Sequence, residues 1–389
     1  MEPILLKEFI YWVGVVDWDL RNFHGYLTQR GSSYNSYLIQ DENITLIDTV
    51  KAPFSHEMIE RIKSVVDPAD IKYIVCNHVE MDHSGALPAI MKLAPTATIL
   101  TSPQGAKGLQ KHYRTDWNTR IVKSGEEISL GKYQLKFVLT PMVHWPDSMV
   151  CYLEKEHLLF SNDAFGQHIA SSERFDDEYP FTTIMDEARK YYANIVLPYG
   201  TIVKKALDAV AELAIDIVAP SHGIIWRKHL KEILTAYHQW SANETESRAL
   251  IIYDSMWGST AQIADALRFG FETSHIRTSM FHLQKNHISD IMTETLTAKY
   301  ICVGSPTLNN NMLPTVAGFL TYLKGLAPQN RIGMAFGSYG WGGQSIDQID
   351  GVLQDCGFDM LPLVKVQYIP ETQTLKQIES NLRTKILGD

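Results

Sequence analysis

Apolar and polar positions follow two different rhythms along the chain, and the rhythm changes near residue 246. In the first part, residues 34–39 and 44–48 read as a hairpin around Asp41-Glu42-Asn43. Residues 55–66 place Met58, Ile59, Ile62 and Val65 on one helical stripe. The apolar run Tyr73-Ile74-Val75-Cys76 predicts a buried strand and residues 87–93 a helix, and the pattern repeats over 96–100 and 104–113. After Gly125 the period shortens to two, so 134–140, 149–153 and 158–161 read as strands. Helical spacing returns over 183–213, broken at Pro198-Tyr199-Gly200, and again over 230–240. Two αβ halves on mixed sheets predict an αββα sandwich for residues 1–246.

The polar stretch Ser241-Ala242-Asn243-Glu244-Thr245-Glu246-Ser247 marks the boundary. Strands over 249–253, 277–283, 300–303 and 331–336 then alternate with helices over 261–271, 288–296, 314–323 and 344–356, before a last strand and helix. Residues 247–389 are therefore expected to form a doubly wound parallel sheet, and the chain as a whole is α/β.

Composition narrows the function. The 389 residues suit two or three domains, and 45% hydrophobic with 20% charged residues is the balance of a globular protein. A net charge of -9 argues against nucleic acid as a partner. No apolar run reaches membrane-spanning length, and Met1-Glu2-Pro3-Ile4 lacks the parts of a signal peptide. Cys76, Cys151, Cys302 and Cys356 form no C-x-x-C pair, so a reducing cytoplasm is expected.

The densest chemistry lies in His78-Val79-Glu80-Met81-Asp82-His83, directly after the apolar strand. A surface loop can carry one or two such residues by chance, but four metal-ligand types in six point to a metal. Alternate spacing would aim His78, Glu80 and Asp82 to one side of an extended loop and His83 to another, serving two adjacent cations. His144, Asp163 and His222 each follow a predicted strand. A lone His there is more often an edge residue, but together with the motif they form one rim. Asp48 reads either as a structural acceptor near that rim or as a turn residue, and His24 and Trp18 as packing or surface residues, with pocket lining as the lesser alternative. Glu80 makes the donor set harder and more anionic than zinc sites favour, which suits iron or manganese.

In the second domain the loops after strands one, three and four are Ser255-Met256-Trp257-Gly258-Ser259-Thr260, Ser305-Pro306-Thr307-Leu308-Asn309-Asn310-Asn311 and Ser338-Tyr339-Gly340-Trp341-Gly342-Gly343. Hydroxyls at a helix start suit a phosphate monoester, and Tyr339 or Trp341 can stack on a flat ring. There is no G-x-G-x-x-G and no Walker lysine.

The ligand set His78, Glu80, Asp82, His83, His144, Asp163 and His222 resembles the metallo-β-lactamase fold. Its Glu80 version resembles the flavodiiron proteins. So do the stretches Gly31-Ser32-Ser33-Tyr34-Asn35-Ser36-Tyr37, His144-Trp145-Pro146-Asp147-Ser148 and 160–168, while the second domain resembles flavodoxin. The resemblance implies FMN and two irons. His78, Glu80 and His144 would hold one iron, Asp82, His83 and His222 the other, and Asp163 would bridge them. It also implies Tyr192 and His168 near the metals, and reduction of O2 to water or NO to N2O. A head-to-tail homodimer, further assembled in some cases to a tetramer, would bring one chain's FMN to its partner's irons. With no rubredoxin domain in the chain, an external donor is expected, a rubredoxin or a reductase. Two other readings stand beside this one: a metal hydrolase with an accessory flavodoxin domain, and an electron carrier with an empty metal domain.

Overall fold

Strand-forming runs of the N-terminal half assemble into two mixed sheets in the computed structural model, which describes residues 2–387. The first sheet has seven strands, running in order from Ile4–Lys7 through Tyr37–Ile39, Thr45–Ile47 and Tyr73–Cys76 to Thr98–Thr101 and Thr119–Ile121. The second has five, from Glu127–Ser129 through Gln134–Leu139, Met149–Leu153 and Leu158–Asn162 to Ile217–Pro220.

Register explains why the sheets stack. Leu38, Leu46, Ile74 and Ile99 sit side by side on neighbouring strands and pack beneath helices Ser55–Lys63, Leu87–Leu93 and Pro103–Tyr113. Their sequence neighbours Ile39, Ile47, Val75 and Leu100 point the other way, as a period of two requires. They meet a matching row from the second sheet, where Phe137, Cys151, Phe160 and Ala219 lie opposite one another. The far face of the second sheet carries Val150 and Leu159, beside helix Gly200–Val210. The result is the expected sandwich.

The expected helical stretch over 183–213 is two helices, Phe181–Tyr191 and Gly200–Val210. Between them lie a π turn at Tyr192–Val196 and a 3-10 turn at Leu197–Tyr199. Pro198 has no N–H for a helical bond, but the regular helix already ends at Tyr191 and the next begins at Gly200, so the break opens earlier than Pro198-Tyr199-Gly200. The described chain divides into two compact units. One runs through Tyr191 and resumes at Thr201–His238; the other takes Tyr192–Gly200 and continues from Gln239. The boundary expected at 246/247 falls at the start of strand Glu246–Tyr253.

The second unit is built on a parallel sheet. Strands Arg277–His282, Glu246–Tyr253, Ala298–Gly304 and Ile332–Tyr339 lie in that spatial order, and Val364–Gln367 and the short Asp359–Met360 both pair with the last. The strand order reverses between the first and third strands, and the C-terminal ends there form the usual ligand crevice of this topology. No helix among the described residues is long and apolar enough to cross a membrane.

Phe137 is fully buried between the sheets. Replacing it with Ala should destabilise the N-terminal unit by roughly 3–5 kcal/mol, read from urea unfolding by tryptophan fluorescence.

Candidate metal centre and nucleotide pocket

Four strand ends of the sandwich open onto one side, and each delivers a ligand. His78 follows Tyr73–Cys76, His144 follows Gln134–Leu139, Asp163 follows Leu158–Asn162, and His222 follows Ile217–Pro220. The motif itself is not the extended loop its alternation suggested. Glu80 caps a single helical turn, Met81–Ser84, which Ser84 ties back by donating its hydroxyl to the Val79 carbonyl at 2.7 Å. The turn, rather than a period of two, separates the ligands into His78 with Glu80 and Asp82 with His83. Asp48 is a structural acceptor: its two oxygens take the backbone N–H and side-chain amide of Asn77 at 2.7 and 2.9 Å. That pins the residue just before His78.

The seven candidate ligands converge. His78, His144 and Asp163 form one trio and Asp82, His83 and His222 another, each with donor atoms mutually within 4.8 Å. Glu80 Oε2 stands beside the first trio, 3.3 Å from His78 Nε2 and 3.6 Å from His144 Nε2. Asp163 divides its oxygens between the trios. Its Oδ2 lies 3.4 Å from His144 Nε2, whereas Oδ1 lies 3.3 Å from both His83 Nε2 and His222 Nε2. A carboxylate so placed faces both groups at once.

Residues around the ligands fix their orientation. Asp147 accepts from His78 Nδ1 at 3.0 Å and from the Val79 N–H at 2.8 Å. The Ser33 carbonyl accepts from His222 Nδ1 at 2.8 Å. In each case Nε2 is left for the centre. His168 packs its ring 5.3 Å from that of His222, and its Nδ1 is 2.7 Å from the Ser32 hydroxyl. Burial and the neighbouring His222 hold the His168 pKa well below its usual value, so it stays neutral. The loops are locked together by Gln167, which accepts from the Ile224 N–H at 2.6 Å. Gly223 is required there, because at φ +78° a Cβ would lie 1.9 Å from Gln167 Oε1.

The tyrosine at the centre is Tyr191, where the sequence pointed to Tyr192. Tyr191 donates its hydroxyl to Asp163 Oδ1 at 2.9 Å, while Tyr192 packs against Trp240. The periodicity held the signal. Ile184, Glu187, Ala188 and Tyr191 are the buried stripe of helix Phe181–Tyr191, and Tyr192 begins the π turn. His24, for which pocket lining is the lesser of the readings, places Nε2 3.1 Å from Glu80 Oε1 while remaining largely exposed. Only the fold brings that loop over the motif.

The electrostatics fit cations. Both Asp82 oxygens and Asp163 Oδ2 are buried, with no aligned hydrogen-bond donor among the described residues. Burial opposes charge on His78, but Asp147, Glu80 and Asp163 outweigh it and push its pKa up to about 9. His222 is likewise pushed up to about 9, as Asp163 and Asp82 overcome burial. Burial also opposes charge on Asp163, yet His83, His144 and His222 hold it well below the usual carboxylate range. Such a cluster attracts positive charge, whether protons or metal ions.

In the second unit a cavity of about 550 Å³ opens at the strand ends. Met256, Trp257 and Ser259 line it from the first loop, Pro306, Thr307, Leu308 and Asn309 from the second, and Ser338, Tyr339, Gly340 and Trp341 from the third. Tyr368 and Ile369 complete it from after the last strand, a wall the sequence reading did not include. Ser255, Gly258, Thr260, Asn310 and Gly342 belong to the same loops but are not among the lining residues. Ser255 accepts from the Gly258 N–H at 3.2 Å, and Thr260 and Ser338 share a hydrogen bond at 2.9 Å. Helix Ser259–Thr273 starts from Gly258 with no side-chain cap, so its first N–H groups face the loop, as a phosphate site needs.

Comparison with known proteins agrees with both halves. Residues 33–223 match the ODP family beta lactamase and residues 251–380 the flavodoxin family. The nitric oxide reductase of Moorella thermoacetica is 45% identical over 97% of this chain and 96% of its own length. Among solved structures, the rubredoxin oxygen:oxidoreductase of Desulfovibrio gigas has a TM-score of 0.97 at 41% identity, covering 99% of this chain and 98% of its own. The flavodiiron protein from Giardia intestinalis has a TM-score of 0.96 at 33% identity, covering 100% of this chain and 97% of its own.

The chain belongs to the flavodiiron proteins.

Its cofactors are accordingly FMN and a non-haem diiron centre. Both fit this flavodiiron protein. The imidazole and carboxylate donors, with buried oxygens lacking donors of their own, suit two iron ions. The aromatic-walled cavity at an uncapped helix start suits a flat ring bearing one phosphate.

Asp147 should act through His78. An Asp147→Asn variant should keep FMN and lose metal affinity by about 10–100-fold, measured by competition with an iron chelator.

Proposed function

We propose that this flavodiiron protein reduces O2 to water, two NO to N2O and water, or both. FMN in the second unit would accept electrons singly or in pairs, and the two irons would pass them to the gas. The observation that carries this reading is Asp163, whose oxygens face two ligand trios in a chain that also holds a flavodoxin cavity. A hydrolase has no use for flavin, and a flavodoxin-type carrier has none for two metals.

The residues divide the work. His78, Glu80 and His144 would hold one iron, Asp82, His83 and His222 the other, and Asp163 both. The three acids, Glu80, Asp82 and Asp163, offset most of the charge of two divalent ions. Tyr191 keeps its proton, since burial and Asp163 raise its pKa well above the ordinary tyrosine value, and so it donates to Asp163. Neutral His168 keeps a second charge away from His222. In the other unit the hydroxyls of the first loop would hold the phosphate, and Tyr339 and Trp341 the ring.

Electrons would come from an external donor such as a rubredoxin or a reductase, and the working form would be a head-to-tail dimer. Met256, Trp257, Trp341, Tyr368 and Ile369 line the flavin cavity and are exposed, Trp257 at 94% and Trp341 at 91%. An apolar rim of that kind supports a docked partner. All four cysteines are free, which suits the reducing cytoplasm we assign to it.

Anaerobically reduced, iron-loaded protein should consume O2 or NO at steady state; consumption of neither, with thioester or lactam hydrolysis in their place, would favour the hydrolase. Glu80→Ala should lose iron or gas turnover while retaining FMN by absorbance. Dilution below the dimer dissociation range should lower specific activity, and a monomer with full turnover would refute the dimer.

A further inference from the structure

An apolar cavity of about 30 Å³ lies in the N-terminal unit, between the outer face of the second sheet and helix Gly200–Val210. Val150 and Leu159 line it from the sheet, and Val203, Ala206 and Leu207 from the helix. The helical residues fall on one face at spacings of three and four. The strand residues alternate with Cys151 and Phe160, which face the other sheet.

Its position along the strands ties it to the diiron ligands. Val143 and Ala164 also line it; Val143 precedes His144 and Ala164 follows Asp163. The cavity thus sits directly behind two of the residues assigned to iron. No charged side chain lines it. Three hydroxyls belong to its lining, those of Thr140, Ser161 and Tyr237, and the last two have partners within the protein. Ser161 donates to the Ala164 carbonyl at 2.7 Å, and Tyr237 accepts from the Phe165 N–H at 2.7 Å. A void of this size holds one small molecule, and a wall that is mostly apolar favours an apolar occupant over a water, which would need two to four polar partners.

We propose that this cavity is a docking site for an uncharged diatomic gas, holding O2 or NO beside the metal ligands before it reaches them. Such gases dissolve better in hydrocarbon than in water, so an apolar void raises their local concentration. The assignment of the gas as substrate rests on the reductase reading above; the cavity's preference for an apolar occupant does not.

Xenon is the probe. Crystals of the FMN- and iron-loaded protein pressurised with xenon should show it between Val150 and Leu207. Ala206→Leu should abolish that density and raise the KM for the gas by about threefold or more, with kcat, iron and FMN content unchanged. Xenon added to wild-type protein should likewise raise the apparent KM without lowering kcat, which decides the matter if the variant does not fold. Wild-type crystals without xenon at this site, or an unchanged KM in both kinetic experiments, would overturn the proposal and leave the reductase reading intact. Xenon bound in protein that consumes neither gas would overturn the reductase reading, and with it the assignment of the gas.

Discussion

A single buried carboxylate, shared between two sets of imidazoles, is the constraint on which the N-terminal unit depends. Asp163 is almost wholly buried, and an unpaired charge there would cost on the order of several kcal/mol of lost hydration. Four histidines and Tyr191 surround it instead. Its position is tenable only because strands from the second sheet end beside the motif of the first. The two rows of apolar residues between the sheets, Ile47-Val75-Leu100 and Phe137-Cys151-Phe160-Ala219, thereby set the separation of the ligands.

Around that carboxylate, His78 and His222 are each held by a partner that does not itself face the centre. Asp147 turns His78, the Ser33 carbonyl turns His222, and Asp48 fixes the strand exit before the motif. These contacts matter because a metal site needs its donors placed before the ion arrives, and loops alone lose that precision. Gly223 shows how little slack remains, since even a methyl group would collide with Gln167.

The two units solve different physical problems. The first concentrates buried charge, and it can do so because its sandwich core lies on one side of the rim. The second leaves large aromatic side chains exposed around a cavity at its sheet's strand ends. Exposed apolar surface is costly in water and is retained where a flat ligand or a partner covers it. Charge is therefore managed in one unit and stacking in the other.

Much of this was legible in the sequence. Strand and helix periods identified both architectures, because burial on one face imposes a period of two or 3.6 on the residues themselves. The seven candidate metal ligands were legible because acids and imidazoles after apolar strands are chemically conspicuous. The sequence could not show that Met81–Ser84 is a helical turn, since four residues are too few to display a period. It pointed to Tyr192 where Tyr191 reaches Asp163, because the choice between adjacent tyrosines depends on where a helix gives way to a π turn. His24 beside Glu80, Asp147 beneath His78, and Tyr368 with Ile369 at the flavin cavity were likewise decided by tertiary structure. Each is a contact between segments distant in the chain, and local sequence carries the chemistry of a side chain but not the partner that folding sets against it.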